Sequence, residues 1–400
     1  MTQKIILYGH FGSGNIGNDS SFEAALYHIR KYKPDAHLIC VCNGPEEIAH
    51  RFNIETQHMA GTHAEDHSSG RIKRLWLRLS DEILFWLKRP SWFRPDDQFV
   101  VVGTGAVDDM AVRRFWHSPY ELYKWCKTAK LGGAKVIFLS VGVGPIMNRI
   151  SRFLMLKALR MADYRSYREV AAFEYLKGIG YDTTGDIRYP DLVFSFPKES
   201  LPKVQAASNS KVVGLGLITY YGWRHDQAAG QAVYQDYLSK IKRFATWLFN
   251  QGYTIRIISG DKTDLHPVHE FVEWVKKEGE PDWKDRLIVE EINTINDLLT
   301  QLAQTDLVVA SRFHNVLCSL MLERPVISLG YHEKNVNLMA EMGLENFCQH
   351  IEDFTFEKLV EQFERYTAEL DESTRRIHQK NEQYRQQLDE QYRNILFHLK

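Results

Sequence analysis

Residues 4–17 of the chain read KIILYGHFGSGNIG, and this stretch indicates how the protein folds. The apolar run Lys4–Tyr8 is short and ends at a glycine, as expected of a strand that is buried on both faces. The glycine-rich turn after it leads into a helical pattern over Ser20–Lys31. Because a buried strand that turns into a helix begins a βαβ unit, the sequence predicts a parallel sheet covered by helices.

The same alternation continues through the first half of the chain and restarts at Lys211. In the first half we predict further strands at His37–Cys42, Phe99–Val102, Lys135–Val141 and Asp191–Phe196. In the second half we predict strands at Val212–Tyr220, Tyr253–Ser259, Leu287–Glu290, Leu307–Ala310 and Val326–Leu329. The expected fold is therefore α/β, with two doubly wound, Rossmann-like parallel-sheet domains that face a cleft.

Composition shifts along the chain suggest the domain boundaries. We expect an N-terminal domain over 1–196 and a polar linker with two prolines over 197–210. A C-terminal domain is expected over 211–355, followed by a charged helical tail over 356–400. Two arrangements of this tail are open: a solvated helix, or a helix that packs back across the first domain.

Overall composition excludes several classes of protein. Of 400 residues, 44% are hydrophobic and 25% are charged, which is ordinary for globular domains. The chain has 50 basic and 51 acidic residues, so no global positive field attracts nucleic acid. No apolar window approaches the roughly 20 residues that span a bilayer. Five scattered cysteines without a CxxC pair indicate reduced thiols, and we expect a cytoplasmic protein.

One segment, Arg71–Arg94, departs from the alternation because it is both basic and aromatic. It either forms a helical hairpin that covers its own domain or lies on an anionic membrane surface. Just before it, His63 and His67 have a spacing that suits a metal on a helix. Their glycine and serine neighbours favour a loop, so we expect no metal site.

Glycine turns follow three of the predicted strands in the first half. Gly12, Gly14 and Gly17 match G-x-G-x-x-G, but the second strand ends at Asn43 without the acid that a dinucleotide site requires. We therefore expect polar contacts to a ligand and no bound NAD. Because parallel strands end at one edge, these turns should expose backbone amides there. The candidate substrate-binding residues in this half are Gly12, Gly14, Asn15, Asp19, Gly103, Gly105, Asp108 and Asp109.

Cationic side chains follow other strands. Arg168 lies at a helix start, where it either meets an anion or pairs with Glu169. The run Leu307–Ala310 leads into Ser311-Arg312-Phe313-His314, and a helix is expected from Asn315. If the strand stays extended, the side chains of Arg312 and His314 point the same way. The next strand leads to Lys334, which adds a second cation at the same edge.

These motifs, in this order, resemble the polysaccharide pyruvyl transferase family over about residues 5–345. The resemblance is carried by the Gly12–Gly17 opening, the glycine turn after Val102, the Ser140–Pro145 run, Arg168-Glu169 and Tyr189–Asp191. The most specific block is Ser-Arg-x-His at 311–314 followed by Arg-Pro-Val-Ile-Ser-Leu-Gly-Tyr-x-x-Lys at 324–334.

The resemblance implies a fold similar to GT-B glycosyltransferases, with Arg168, Arg312 and His314 at the donor site. It also implies transfer of pyruvate from phosphoenolpyruvate to two hydroxyls of a saccharide, which forms a cyclic ketal and releases phosphate. The acceptor is then a polysaccharide or its precursor, including a lipid-linked one, and no cofactor is needed. In this scheme Ser311 and Lys334 help to bind the donor. His314 either supplies the proton, since an imidazole ordinarily titrates near 6.5, or only binds the anion. Asp19, Asp108 or Asp109 takes a hydroxyl proton.

Two other functions fit the same pattern of residues. One is a nucleotide-sugar-dependent glycosyltransferase of the GT-B class, which shares the two α/β domains. The other is a non-catalytic carbohydrate-binding protein. If the acceptor is lipid-linked, Arg71–Arg94 is the segment expected to touch the membrane.

Overall fold

The computed structural model describes residues 2–60, 80, 82–88, 90–109, 117–203, 211–222 and 226–399. The chain divides into two compact units. The first unit comprises Met1–Ser13, Asn18–Ser195 and Gln386–Lys400, and the second comprises Gly14–Gly17 and Phe196–Arg385.

The first unit is built on a seven-stranded parallel sheet with the strand order β3-β2-β1-β4-β5-β6-β7. Its strands are β1 (Lys4–Tyr8), β2 (His37–Cys42), β3 (Glu55–His58), β4 (Gln98–Val102), β5 (Lys135–Val141), β6 (Tyr164–Tyr167) and β7 (Ile187–Arg188). All five residues of β4 are buried, as the continuous apolar run predicted for a strand covered on both faces.

Helices connect these strands and bury their apolar faces against the sheet. They are α1 (Ile16–Tyr32), α2 (Pro45–Phe52), α3 (described over 82–88), α4 (Ser118–Leu131), α5 (Arg149–Arg160) and α6 (Val170–Gly178). Trp125 of α4 stacks parallel to Phe99 of β4, with the ring centroids 6.3 Å apart. Such contacts between helix and strand make up the core of this unit.

The strand predicted over Asp191–Phe196 is wrong, since the structure has a short 3₁₀ helix at Leu192–Ser195. Local hydrogen bonds explain the difference. The Asp191 carboxylate accepts the Val193 amide at 3.0 Å, and the Ser195 hydroxyl donates to the Leu192 carbonyl at 2.7 Å. These side chains satisfy the backbone within the turn, so no neighbouring strand is needed.

The second unit contains a six-stranded parallel sheet with the order β10-β9-β8-β11-β12-β13. Its strands are β8 (Val212–Gly216), β9 (Thr254–Ile258), β10 (Leu287–Val289), β11 (Leu307–Ala310), β12 (Val326–Gly330) and β13 (Cys348–His350). Its helices are α7 (Gln227–Asn250), α8 (Leu265–Glu278), α9 (Ile295–Ala303), α10 (Phe313–Met321), α11 (Glu333–Glu341) and α12 (Phe356–Ala368). The two doubly wound sheets confirm the predicted fold class.

The last helix, α13 (Leu370–Arg393), leads into a C-terminal segment that belongs to the first unit. Gln391 is fully buried there, and its amide donates to the Ser166 hydroxyl at 2.7 Å. The Gln98 side chain donates to the Ile395 carbonyl at 2.9 Å. Of the two arrangements considered for the charged tail, its end therefore adopts the packed one.

Residues 71–79, 81 and 89 of the basic, aromatic segment lie outside the described residues, as do His63 and His67. Its described helix, α3, packs on α4: the Lys124 ammonium donates to Glu82 at 2.8 Å and the Phe85 ring meets Trp125 edge-on. No group of three or more His, Cys, Asp or Glu side chains among the described residues is placed to hold a metal ion. No helix in the described part of the chain is long and apolar enough to cross a membrane. All five cysteines are free thiols.

Candidate functional site

The candidate donor site is built on the carboxyl edge of the second sheet. Because β8, β9, β11 and β12 run parallel, the segments that follow them lie at one edge. After β11 the chain passes through Ser311 and Arg312 into α10, and after β12 it passes through Tyr331 into α11. The sequence therefore brings Arg312, His314 and Lys334 to this edge, as predicted from the two strand-to-helix turns.

Arg312 is held by a carboxylate that the sequence analysis did not identify. Its Nε and Nη2 donate to the two oxygens of Asp264, each at 2.7 Å, and Nη2 also donates to the Thr263 hydroxyl at 2.9 Å. Asp264 is fully buried and accepts the Thr219 amide at 3.1 Å. A bidentate pair of this kind fixes the plane of the guanidinium.

Burial and pairing act against each other in this ion pair. Burial raises the pKa of the Asp264 carboxyl, while its hydrogen bonds with Arg312 lower it. Burial alone would lower the pKa of the Arg312 guanidinium, but Asp264 more than offsets this and the pKa is raised. Arg312 is therefore a permanent cation in a fixed orientation, with about a fifth of its side chain exposed to solvent (22%).

The extended geometry predicted for Arg312 and His314 is wrong. Helix α10 begins at Phe313, two residues earlier than predicted, and Arg312 is its N-cap. His314 consequently lies in the first helical turn, where the backbone amides have no partner within the helix. These amides favour an anion at the helix N-terminus. The turn is therefore suited to anion binding, as expected, although its backbone is helical and not extended.

Lys334 lies close to the same turn. Its ammonium is 5.2 Å from the ring centroid of Phe313 and 5.9 Å from that of Tyr331. Within the described part of the chain, no carboxylate forms an ion pair with it. Aromatic faces hold a cation without neutralising its charge, so Lys334 offers a half-exposed positive charge beside Arg312.

Two buried asparagines fix the backbone beneath these cations. Asn335 is fully buried, and its amide donates to the Ser311 carbonyl at 3.2 Å and to the Ser328 hydroxyl at 3.4 Å. Asn315 is also fully buried and donates to the Ile258 carbonyl at 3.5 Å. They join the ends of β9, β11 and β12, because buried amides need hydrogen-bond partners. No sequence pattern had indicated a role for these asparagines or for Asp264.

Gly14–Gly17 packs with the second unit. The Asn15 amide donates to the Asp261 carboxylate at 3.2 Å. A Cβ atom on Gly17 would lie 2.0 Å from Nδ1 of His314, so only glycine leaves room for the imidazole. Gly14 has a φ of +83°, a backbone conformation that glycine adopts without strain. The glycine motif thus serves in part to make space for the histidine.

The first glycine of the motif has a structural role in the first unit. Gly12 has a φ of +70°, and a Cβ there would lie 2.4 Å from the carbonyl oxygen of Gly44. The buried Asp19 carboxylate accepts the Gly12 amide at 2.9 Å and bonds Arg51 at 3.1 Å. Asp19 therefore links the turn to α2, with one oxygen bonded to each.

Two adjacent carboxylates follow β4, and the structure gives them different surroundings. The Asp109 oxygens accept the amides of Met147 and Asn148 at 2.7 and 2.8 Å, so this buried side chain fixes the loop after β5. Asp108 is half-buried and packs between the glycine turns: a Cβ on Gly105 or on Gly144 would come within 2.8 Å of it. Of the two, Asp108 keeps the better access to a ligand at this edge.

Arg168 follows β6 and is bound by acids of its own unit. Its Nη1 donates to Asp191 at 2.7 Å and to the Gly103 carbonyl at 3.2 Å, and its Nε donates to Glu169 at 3.1 Å. Burial alone would lower the pKa of this guanidinium, but the pKa is raised because Asp191 and Glu169 offset the burial. The pairing with Glu169 considered in the sequence analysis is thus present, and Arg168 links the β4 and β6 ends of the sheet.

Comparisons with known proteins agree with this architecture. A family model described as polysaccharide pyruvyl transferase matches residues 15–333. No curated protein sequence matches the chain.

Solved structures with two similar units are numerous. A putative UDP-N-acetylglucosamine 2-epimerase from Listeria monocytogenes is 12% identical, with a TM-score of 0.60 and 99% of this chain and 95% of that chain covered. A glycosyltransferase from Rickettsia africae is 12% identical, with a TM-score of 0.56 and 99% of each chain covered. HepE from Anabaena, solved in complex with UDP and glucose, is 12% identical, with a TM-score of 0.57 and coverage of 98% and 99%.

At these identities the structural likeness shows the fold alone, which is GT-B-like. The family model spans most of the chain, including Asn15–Gly17 of the glycine turn and the block from Ser311 to the turn before Lys334. The matched range therefore includes the residues that build the carboxyl edge of the second sheet. The chain belongs to the polysaccharide pyruvyl transferase family and is a transferase.

Proposed function

We propose that this transferase moves the pyruvyl group of phosphoenolpyruvate onto two hydroxyls of one sugar in a polysaccharide or its precursor. The observation that carries the proposal is the convergence of Arg312, His314 and Lys334 at one sheet edge of the second unit, beside the amides of α10. Phosphoenolpyruvate carries a carboxylate and a phosphate on three carbons. A fixed guanidinium, an ammonium and the N-terminal end of a helix are the groups that bind such a dianionic or trianionic ligand.

The reaction requires one addition and one displacement at the same carbon, together with the gain of a proton at the methylene carbon and the loss of a proton from each hydroxyl. In our proposal His314 donates a proton to the methylene carbon while a sugar hydroxyl adds to the neighbouring carbon and loses its own proton. The second hydroxyl then displaces phosphate from that carbon and closes the ketal. Arg312 and Lys334 stabilise the negative charge on the departing phosphate.

The proposed reaction also needs a base that accepts the hydroxyl protons of the acceptor sugar. Of the three carboxylates considered, Asp19 and Asp109 are buried, whereas Asp108 is half-buried. We therefore propose Asp108 as the base and the surrounding glycine turns, Gly103–Gly105 and Gly142–Gly144, as acceptor contacts. Arg168 contributes by holding the β4 and β6 ends in place and by its positive charge.

The proposal is tested by incubating the protein with phosphoenolpyruvate and a panel of glycans, soluble and lipid-linked. Phosphate release and a product heavier than the acceptor by about 70 Da, which is pyruvate less water, are expected. No cofactor takes part in the proposed reaction, so treatment with EDTA should leave the rate unchanged. Thermal stabilisation by a nucleotide sugar, together with no effect of phosphoenolpyruvate, would instead favour a nucleotide-sugar glycosyltransferase.

A further inference from the structure

Helix α5 of the first unit exposes a face composed only of cations and large apolar side chains. Its sequence, RISRFLMLKALR, contains no acidic residue. Ile150 and Phe153 are 48% and 58% exposed. The other exposed positions of the helix are the three cations Arg149, Lys157 and Arg160. At 100° per residue these five positions fall within an arc of about 100°, so they form one continuous stripe.

The loop before α5 extends this apolar surface. Met147 is 77% exposed, although the backbone around it is fixed. Its amide and that of Asn148 are held by Asp109, and the Ile146 carbonyl accepts Arg152 Nη2 at 2.9 Å. Because these hydrogen bonds fix the loop, the Met147 side chain is held at the surface and cannot turn inward to bury itself.

A second exposed apolar group lies on the neighbouring helix. Ile83, Leu84 and Leu87 of α3 are 59%, 46% and 73% exposed, while Phe85 of the same helix packs on Trp125. Both α3 and α5 pack against α4. The two exposed apolar groups therefore flank the same helix of the first unit.

The chemistry of the stripe indicates its partner. The whole chain has a net charge of −1, so three cations with no acid on one helix face are a local feature. Apolar side chains that insert below the headgroups, flanked by Lys and Arg at headgroup level, are typical of helices that lie on anionic bilayers. The cores of protein interfaces, by contrast, are depleted in lysine.

We infer that the first unit docks on an anionic phospholipid bilayer through α5, with Met147, Ile150 and Phe153 in the acyl boundary. Arg149, Lys157 and Arg160 contact the lipid phosphates. The loop that carries Met147 follows the carboxyl end of β5, so docking places this end of the first sheet near the membrane. The inference concerns lipid binding alone and does not depend on the proposed reaction.

The test is sedimentation of the full chain with vesicles of phosphatidylcholine, with and without phosphatidylglycerol. Binding that needs the anionic lipid and weakens with salt is expected. Ile150→Ser with Phe153→Ser should lower the affinity by about tenfold or more, because both side chains leave the acyl boundary. Arg149→Gln, Lys157→Gln and Arg160→Gln should each lower it about fivefold. Ile187→Ser with Val289→Ser, at exposed apolar positions away from α5 (43% and 47%), is the matched control and should bind normally.

Three results would overturn the inference. If the wild-type protein does not bind anionic vesicles, its partner is not a lipid surface. If the α5 variants bind vesicles as well as the control does, the membrane contact lies elsewhere. A wild-type dimer in sedimentation equilibrium that becomes a monomer in the Ile150/Phe153 variant, without any lipid effect, shows instead that this face binds a second copy. All the substituted side chains are exposed, and unchanged melting temperatures check that the variants fold.

Discussion

Arg312 donates two hydrogen bonds to the two oxygens of Asp264, which lies 48 residues earlier in the chain. The pair fixes the guanidinium at the carboxyl edge of the second sheet, beside the N-terminus of α10. Because Asp264 is fully buried, the orientation of Arg312 depends on the folded unit and not on its neighbours in sequence. A guanidinium held in this way binds an anion without losing side-chain freedom at the moment of binding.

Arg312→Lys should lower kcat/KM about a hundredfold, and Arg312→Ala at least as much. Lysine keeps the charge but lacks the planar fork that engages both Asp264 oxygens and the donor. Steady-state release of phosphate from phosphoenolpyruvate measures the effect. Arg286→Lys is a suitable control, because Arg286 donates to the Phe249 and Tyr253 carbonyls in the same unit. Near wild-type turnover in Arg312→Ala would remove this residue from the donor site.

Gly17→Ala should reduce turnover about as strongly as His314→Ala, which we expect to cost a hundredfold or more. Gly17 lies in α1, where alanine is well tolerated, but the new Cβ would meet the His314 imidazole at 2.0 Å and displace it. Gly178→Ala is the matched control, since a Cβ there meets nothing within 4 Å. Full activity of Gly17→Ala, with an unchanged melting temperature, would argue that the position of His314 does not matter for catalysis.

Asp108→Asn should mainly reduce turnover, whereas Asp109→Asn should mainly reduce stability. Asp109 accepts two backbone amides, and an asparagine accepts only one of them at a time. Asp109→Asn should therefore lower the free energy of unfolding by about 1–3 kcal/mol. Asp108→Asn should lower the denaturant midpoint less than Asp109→Asn and abolish most of the turnover, because its proposed task is to accept a proton. If Asp108→Asn retains its rate while folding normally, another group is the base.

Glu121→Gln should remove part of the pH dependence of stability. Burial raises the pKa of Glu121 from 4.5 to about 7, although its neighbour Lys124 acts to lower it. The folded protein thus holds a proton that the unfolded chain has released, so stability falls as pH rises from about 4.5 to about 7. The full effect is about 3 kcal/mol, and chemical denaturation at several pH values measures it.

In the glutamine variant the free energy of unfolding should fall less steeply across this pH range. An unchanged slope would mean that Glu121 is ionised in both states. Glu273→Gln, an exposed position paired with Lys276, serves as the control and should leave the slope between pH 4.5 and 7 as in the wild type.

Much of the secondary structure could be predicted from local sequence patterns. The strands Lys4–Tyr8, His37–Cys42, Lys135–Val141 and Leu307–Ala310 are found with the predicted bounds, since short apolar runs bounded by polar or small residues leave little choice. The start of α10 was misplaced because Arg312 caps it from a backbone position that no sequence pattern marks. Short segments with polar anchors, such as Asp191, were misassigned because side-chain bonds to the local backbone replace a strand partner.

The sequence by itself determined that two α/β units follow one another and that glycine turns and cations lie where strands end. It also carried the family resemblance, because the block from Ser311 to Lys334 keeps its residues at fixed spacing. Only the tertiary structure decided which partners these residues have: Asp264 for Arg312, Gly17 for His314, and Asp191 with Glu169 for Arg168. The physical reason is that a pattern of apolar runs fixes which residues reach a sheet edge, whereas the order of strands and the burial of each side chain fix which of them meet.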